Sequence, residues 1–389
     1  MASATARIHT YLTDGTGPIT ALCAGPAHHV VAAYDDFTIG LWNIRTGTCV
    51  KHLAGHTDTV SAVCMLPSGE LLSGSDDFTL RRWNLDTGGV TELLPSIFDE
   101  KPIKSLAVLE DGHVAVGCYW EKEVHIVDTA GNGILLTAFE KESHSVGILA
   151  LCALPGNNLA VGCESGVVQV WAPSQRRRIM QLPAHEEDTR VTALCTLGDR
   201  LVSAGEDDTA RIWSLSARRQ AHALVGHTDT VTGLCAVGSR HVATCSNDTT
   251  VRLWDAGSGN CVKVLTEHTG PVVGVCSVDG KLVSGSADGN IIVWDLQKPV
   301  RRAGMLQLSR RRTDVPEDVM ATIAAFANVD PAAIYGAHQA NLNKGVTRKN
   351  RTSSSSKKSS SRGSKGSKGS KGSRKSSSSK KKAGGADAV

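Results

Sequence analysis

Short apolar runs, four to seven residues long and separated by Gly, Asp and Asn turns, recur in groups of four over the first 300 positions. One group reads VSAVCML, ELLSGS, TLRRWNL and VTELL. Runs this short, bounded by turn residues, predict strands rather than helices, and their brief alternation fits strands packed on both faces. The groups repeat about every 41 residues. The third run of six groups ends at or near a tryptophan: Trp42, Trp83, Trp171, Trp213, Trp254 and Trp294. A double gap separates Trp83 from Trp171, and a seventh copy falls midway through it, at Val127 in VHIVD.

A fixed period of this length, with a Gly-His near the start and a Trp-Asp near the end, predicts an all-β fold. It is a seven-bladed β-propeller of four-stranded antiparallel blades over residues 1–297. One blade cannot bury its two faces alone, so blades must stack around an axis. The segment IHTYLTDGTGPI (8–19) aligns without gaps to CVKHLAGHTDTV (49–60). Its first half therefore reads as an outermost strand. With no blade before it, that strand is expected beside IIVWDL in the last blade, closing the ring and removing a sheet edge.

Past Leu296 the composition changes. Residues 298–313 read as a basic linker and 314–342 as a helical hairpin. In the hairpin Asp314 and Glu317 form a capping-box pattern, Pro316 lies in the first turn, and Asp330-Pro331 opens a second helix. Residues 343–389 are Ser, Lys and Gly arrays with nothing to form a core, which predicts disorder. Charge divides at the same place. Residues 1–296 hold 21 Lys+Arg against 33 Asp+Glu, net −12, and 297–389 hold 21 against 5, net +16. An acidic body thus carries a basic tail.

The opening MASATARIHT has no apolar stretch of a signal peptide, and no apolar run reaches membrane-spanning length. A cytoplasmic or nuclear protein without a membrane partner is expected. Of the 11 cysteines, Cys23, Cys64, Cys152, Cys195, Cys235 and Cys276 recur once per repeat at one strand position. They read as copied, buried small hydrophobes, and no CxxC points to zinc. No cofactor or metal is expected.

GHTDTV (twice), LLSGSDDFTLRRW and CSNDTTVRLWD resemble the repeats of the WD-repeat propeller family, and the resemblance extends over about residues 7–296. It implies a hydrogen-bonded tetrad of His, Ser/Thr, Asp and Trp within a blade. The matching sets are His56, Ser73, Asp77, Trp83; His185, Ser203, Asp207, Trp213; His227, Thr244, Asp248, Trp254; and His268, Ser284, Asp288, Trp294. A Ser-His-Asp set also invites a hydrolase reading, but four equivalent copies argue for structure, since an active site would be singular. Blade one has Gly15 and Ala32 in the His and Ser places. Blade four keeps His144 and Trp171 but has Val161 and Ser165. Blade three keeps none of the four. Apolar packing is expected to hold these three blades, leaving them the softer sector.

The resemblance also implies that partners bind a rim carrying the residue before each tetrad Asp: Asp35, Asp76, Trp120, Glu164, Glu206, Asn247 and Ala287. The loop after the tetrad His adds Asp58, Glu187, Asp188 and Asp229. An acidic crown with one tryptophan suits a Lys/Arg-rich peptide through charge pairing and cation–π contact. A non-catalytic protein-interaction scaffold is therefore expected. Two alternatives rest on the C-terminal part. AAFANVDPAAIYGAHQAN resembles the first two helices of a CUE-type domain, which implies ubiquitin as a partner; Ala327 stands where that family has Pro, and a plain helical pair is the other reading. The basic tail suits non-specific nucleic acid through counterion release, or an RNA- or ribosome-associated role, though without aromatics it offers no base stacking.

Overall fold

The computed structural model describes residues 6–12, 17–93, 101–119, 123–128, 133–138 and 147–299. The hairpin at 314–342, the tail, most of the linker, Trp120 and His144 lie outside the described residues.

Twenty-eight strands form seven four-stranded antiparallel sheets. In blade one, Ile19–Ala24, His29–Tyr34, Ile39–Asn43 and Thr48–Leu53 follow one another outward. The other innermost strands are Val60–Met65, Ile103–Val108, Ile148–Leu154, Val191–Leu197, Val231–Val237 and Val272–Val278. Each packs against the next, and Val272–Val278 packs against Ile19–Ala24, so the ring closes. The repeat without a tryptophan is in register with the rest: Val114 faces Val127 as Leu71 faces Trp83.

Closure uses both ends of the propeller segment. Ala6–Leu12 pairs antiparallel with Ile291–Pro299, placing Ile8 opposite Trp294 and Leu12 opposite Ile291. The expected outermost strand is formed, and Ile291–Pro299 gains a neighbour on its outer edge. That strand runs two residues into the segment read as linker.

The apolar core lies between blades rather than within them. Seven buried clusters fill the seven interfaces, one joining Leu12, Ile19, Val30 and Trp42 of the closure to Val283, Ile291 and Val293. Second strands such as Leu71–Ser75 and Val114–Cys118 are therefore buried at every position, whereas third strands such as Leu80–Trp83 keep half-buried polar positions at Arg81 and Arg82.

Polar atoms stitch the blades where apolar contact stops. Thr20 Oγ1 donates to the Val60 carbonyl at 2.8 Å, and at the same strand position Thr192 bonds Val231 and Thr232 bonds Val272. On the outer strands, Lys51 Nζ donates to the Leu85 carbonyl at 2.7 Å and Lys263 Nζ to that of Leu296 at 2.7 Å. The innermost strands surround a central channel of about 250 Å³, lined by Thr20, Ser61, Lys104, Thr192 and their neighbours.

Candidate protein-interaction rim

Two sets of loops share one face of the ring. One set enters the innermost strands; the other joins each second strand to its third. The tetrads underlie this face and fix its geometry. In blade two, His56 Nδ1 donates to Asp77 Oδ2 at 2.7 Å, Ser73 Oγ donates to His56 Nε2 at 2.7 Å, and Trp83 Nε1 donates to Ser73 Oγ at 2.7 Å. The carboxylate can only accept, so Nδ1 must carry the ring proton, which makes Nε2 the acceptor and orders the chain of donors from Trp to Ser to His. Asp77 Oδ2 also accepts the Thr57 backbone N–H at 3.0 Å, pinning the loop that follows the histidine.

The other three sets close in the same way. His185 lies 2.8 Å from Asp207 and 3.0 Å from Ser203, and Trp213 donates to Ser203 at 3.0 Å. His227 lies 2.7 Å from both Asp248 and Thr244, and Trp254 donates to Thr244 at 2.9 Å. His268 lies 3.1 Å from Asp288 and 2.7 Å from Ser284, and Trp294 donates to Ser284 at 2.8 Å. Burial by itself would raise the Asp207 and Asp248 carboxyls; hydrogen bonds from the paired histidine and from Thr209 or Thr250 outweigh it and hold both at about 2. Burial lowers His227 and His268 below the ordinary imidazole value against the opposing pull of Asp248 and Asp288.

The blades without full tetrads solve part of the same problem differently. In blade one, Trp42 Nε1 donates to Tyr34 Oη at 2.7 Å; in blade four, Trp171 Nε1 donates to Gln169 Oε1 at 3.0 Å. Apolar packing was expected to be the main support there; a buried indole N–H still needs an acceptor, and a longer side chain supplies it. In blade three, Ser105 Oγ is buried without a hydrogen-bond partner among the described residues.

Four stretches, 47–84, 176–214, 218–255 and 259–295, match the family model for the WD domain, G-beta repeat. Four of the repeats in this seven-bladed propeller are thus WD-type repeats. Similar proteins include "Probable coatomer subunit beta'" of Schizosaccharomyces pombe, 29% identical over 24% of this chain and 12% of that protein. U3 small nucleolar RNA-associated protein 15 of the same yeast is 34% identical over 20% of this chain and 16% of its own length. Telomerase protein component 1 of Mus musculus is 35% identical over 17% of this chain and 3% of its own length. The chain thus matches only a small part of each of these relatives.

A shared backbone bond marks the rim position before each tetrad Asp. Asp35 N–H donates to the Pro18 carbonyl, Asp76 to Thr59, Glu206 to Arg190, Asn247 to Thr230 and Ala287 to Pro271, at 2.9–3.0 Å. In blade three this bond, to Pro102 at 2.8 Å, comes from Tyr119 and not from Trp120. Gly74 pairs Leu80 in blade two but Gly117 pairs Val124 in blade three, so that turn is one residue longer and counting back from Val127 by the blade-two spacing stops one residue short. The rim aromatic placed by the structure is Tyr119.

Two cations sit among the crown's carboxylates. Lys104 Nζ reaches across from blade three to both Asp76 oxygens, at 2.7 and 2.8 Å, and to Ser61 Oγ at 3.1 Å. Arg190 lies 3.2 Å from Glu164 and 3.4 Å from Glu206, and its guanidinium is 3.4 Å from Tyr119 Oη, so it links three blades. Asp35, Asp58, Glu187, Asp188 and Asp229 make no ion pair among the described residues, and all five are exposed. Asp229 also contributes to a raised carboxyl at neighbouring Asp208, where burial comes first and repulsion from Asp229, Asp207 and Asp248 adds to it.

The repeated cysteines are not poised for chemistry. Only Cys276 is buried as expected, the other five being half-buried, but desolvation still pushes the Cys64 and Cys152 thiols up to about 12 and raises Cys23, Cys195, Cys235 and Cys276 as well. Among the described residues no group of three or more His, Cys, Asp or Glu is placed to hold a metal ion, and no helix is long and apolar enough to cross a membrane.

Proposed function

We propose that this propeller is a non-catalytic protein-interaction scaffold that offers its rim to Lys/Arg-rich segments of protein partners. The observation that carries this reading is the set of five exposed rim carboxylates, Asp35, Asp58, Glu187, Asp188 and Asp229, left without an ion pair among the described residues. Exposed charge of one sign steers a partner of opposite charge and sets its register more than it adds affinity. The tetrads support the reading from the other side. Their histidines and hydroxyls are buried and spent on each other, four times over. The names of the similar proteins, a coatomer subunit, an RNA-associated protein and a telomerase component, each describe a part of an assembly.

The test uses the full chain and a fourfold variant, Asp58→Asn, Glu187→Gln, Asp188→Asn and Asp229→Asn. Asparagine keeps the acceptor that Asp58 and Asp229 offer to the next backbone N–H at 2.7 Å, so the fold is preserved. Partners recovered by affinity purification should be lost from this variant and kept by one altered on the opposite face at Arg240. A partner set identical across all three proteins overturns the rim reading. A second reading, binding of RNA through the tail, is favoured by the +16 charge of residues 297–389. It predicts strongly salt-dependent RNA binding that disappears on truncation at residue 343.

A further inference from the structure

The rim changes character in blades one and two. In the turn after the second strand, the residue following the tetrad Asp position lies in the left-handed region in six blades. Blades four and seven use Gly166 (φ 77) and Gly289 (φ 80), blade five Asp208 (φ 60) and blade six Thr249 (φ 68). Glycine and aspartate suit this conformation; a bulky aromatic residue does not. Yet blades one and two place Phe37 (φ 71) and Phe78 (φ 67) there. Among the described residues these are the phenylalanines of the chain, and neither joins the core: each residue is 36% exposed on the rim.

The carboxylates beside them are unusually available. Asp36 stands where the four complete blades have the tetrad Asp, but Gly15 replaces the histidine that would hold it. Asp77, one blade on, is engaged by His56 and Thr57 and only 4% exposed, whereas Asp36 is exposed and, among the described residues, makes only the local bonds from Thr38. Asp35 and Asp58 flank the same two turns, also exposed. In this sector Lys104 is held by Asp76 and Ser61, and so does not neutralise them.

We propose that the rim of blades one and two docks an extended segment of a partner protein, with apolar side chains covering Phe37 and Phe78 and Arg or Lys between them meeting Asp35, Asp36 and Asp58. Charge complementarity selects a basic occupant, and the two phenyl rings demand apolar anchors. Sheets pack about 10 Å apart, and one turn of a polyproline II chain, three residues at about 3.1 Å each, spans nearly that distance and returns the side chain to the same face, so anchors three residues apart match the spacing of adjacent blades. This inference rests on the rim reading above and narrows it to one sector and one sequence chemistry.

The probe is a fluorescent peptide of four Arg-Leu-Gly repeats, with Arg-Ser-Gly and Glu-Leu-Gly repeats as controls, titrated into the full chain by anisotropy. The Arg-Leu-Gly peptide should bind more tightly than either control. The double variant Phe37→Gly/Phe78→Gly should weaken it at least about tenfold, as expected for loss of aromatic anchors. Glycine is what blades four and seven carry at this place, and the pair Phe37→Asn/Phe78→Asn, also tolerant of positive φ, guards against a folding effect. Unchanged affinity in both double variants overturns the proposal. If those variants bind normally while the fourfold carboxylate variant does not, this sector fails and the broader rim reading stands. If the wild type does not discriminate among the three peptides, the proposal fails, and affinity purification alone decides the rim reading.

Discussion

Replacing Asp248 with alanine tests whether the tetrads hold the ring. Its Oδ2 accepts His227 Nδ1 at 2.7 Å and Thr228 N–H at 3.1 Å; its Oδ1 accepts Thr250 N–H at 2.9 Å and Thr250 Oγ1 at 2.7 Å. The His227 side chain is 1% exposed and that of Asp248 6%, so water cannot readily replace the lost acceptor. Stranding one buried donor costs about 1–3 kcal/mol. Thr250 Oγ1, 3.3 Å from His227 Nδ1, is the only other partner in reach among the described residues, which keeps the cost within that range. The matched control is Ser165→Ala, at the same repeat position in blade four, where a half-exposed hydroxyl is removed and the change should stay within about 0.5 kcal/mol. Urea unfolding followed by tryptophan fluorescence should therefore show a clearly lower midpoint for Asp248→Ala alone. A His227→Ala/Asp248→Ala cycle should return a coupling of about 0.5–3 kcal/mol. Equal midpoints for Asp248→Ala and Ser165→Ala, or strict additivity in the cycle, would refute the argument that the tetrad acts as a unit.

Three further outcomes are expected. Deleting residues 1–12 strips Ile291–Pro299 of its outer neighbour, so the thermal midpoint and solubility should both fall; no change in either contradicts the closure. Stability should decline in two stages on acidification. His227 and His268 are depressed from 6.5, so below about that pH the unfolded chain binds protons that the native chain refuses. Asp207 and Asp248, at about 2 when folded and about 3.9 when free, add stability that is present above about pH 4 and lost towards pH 2. Urea midpoints that stay level from pH 7.5 to 3 would rule both out. N-ethylmaleimide should modify exposed Cys261 in the native protein while Cys64, Cys152, Cys195, Cys235 and Cys276 react only after unfolding, as read by peptide mass spectrometry; early reaction of the inner thiols would show a ring that opens.

Features repeated at a fixed period were legible from sequence, because each copy corroborates the others. The turn residues, the Trp positions and the ungapped match of 8–19 to 49–60 placed the seven sheets and their closure. Features that arise between blades were not. Lys104 occupies the strand position of Thr20, Ser61, Thr192 and Thr232, and only the packing of blade three on blade two brings its ammonium to Asp76. Arg190 precedes an innermost strand, and its contact with Glu164 depends on the neighbouring blade. Tyr34 and Gln169 could have been suspected, since blades one and four lack the tetrad hydroxyl but still have an indole N–H to satisfy. Trp120 lies outside the described residues; the shared rim bond falls on Tyr119, a shift sequence could not show because an extra turn residue cannot be located in a blade with none of the four markers.

The departures from the repeat carry a second kind of information. A position filled alike in every blade answers to the ring, and its physics is burial and hydrogen-bond satisfaction. A position where two neighbouring blades place an exposed aromatic in left-handed backbone, where blades four, five and seven use Gly or Asp and blade six Thr249, answers to something else. Phe37 and Phe78 each hold a bulky residue in left-handed backbone, at about 1–2 kcal/mol apiece, and leave part of a phenyl ring in water. Against a native stability of order 5–15 kcal/mol that is a substantial concession. It falls beside Asp36, whose blade has also given up its histidine and left the carboxylate exposed. Three independent departures within two adjacent blades, all on the same face, are difficult to explain by folding, since each weakens the free propeller. A bound segment that covers the rings and neutralises the carboxylate offsets all three at once.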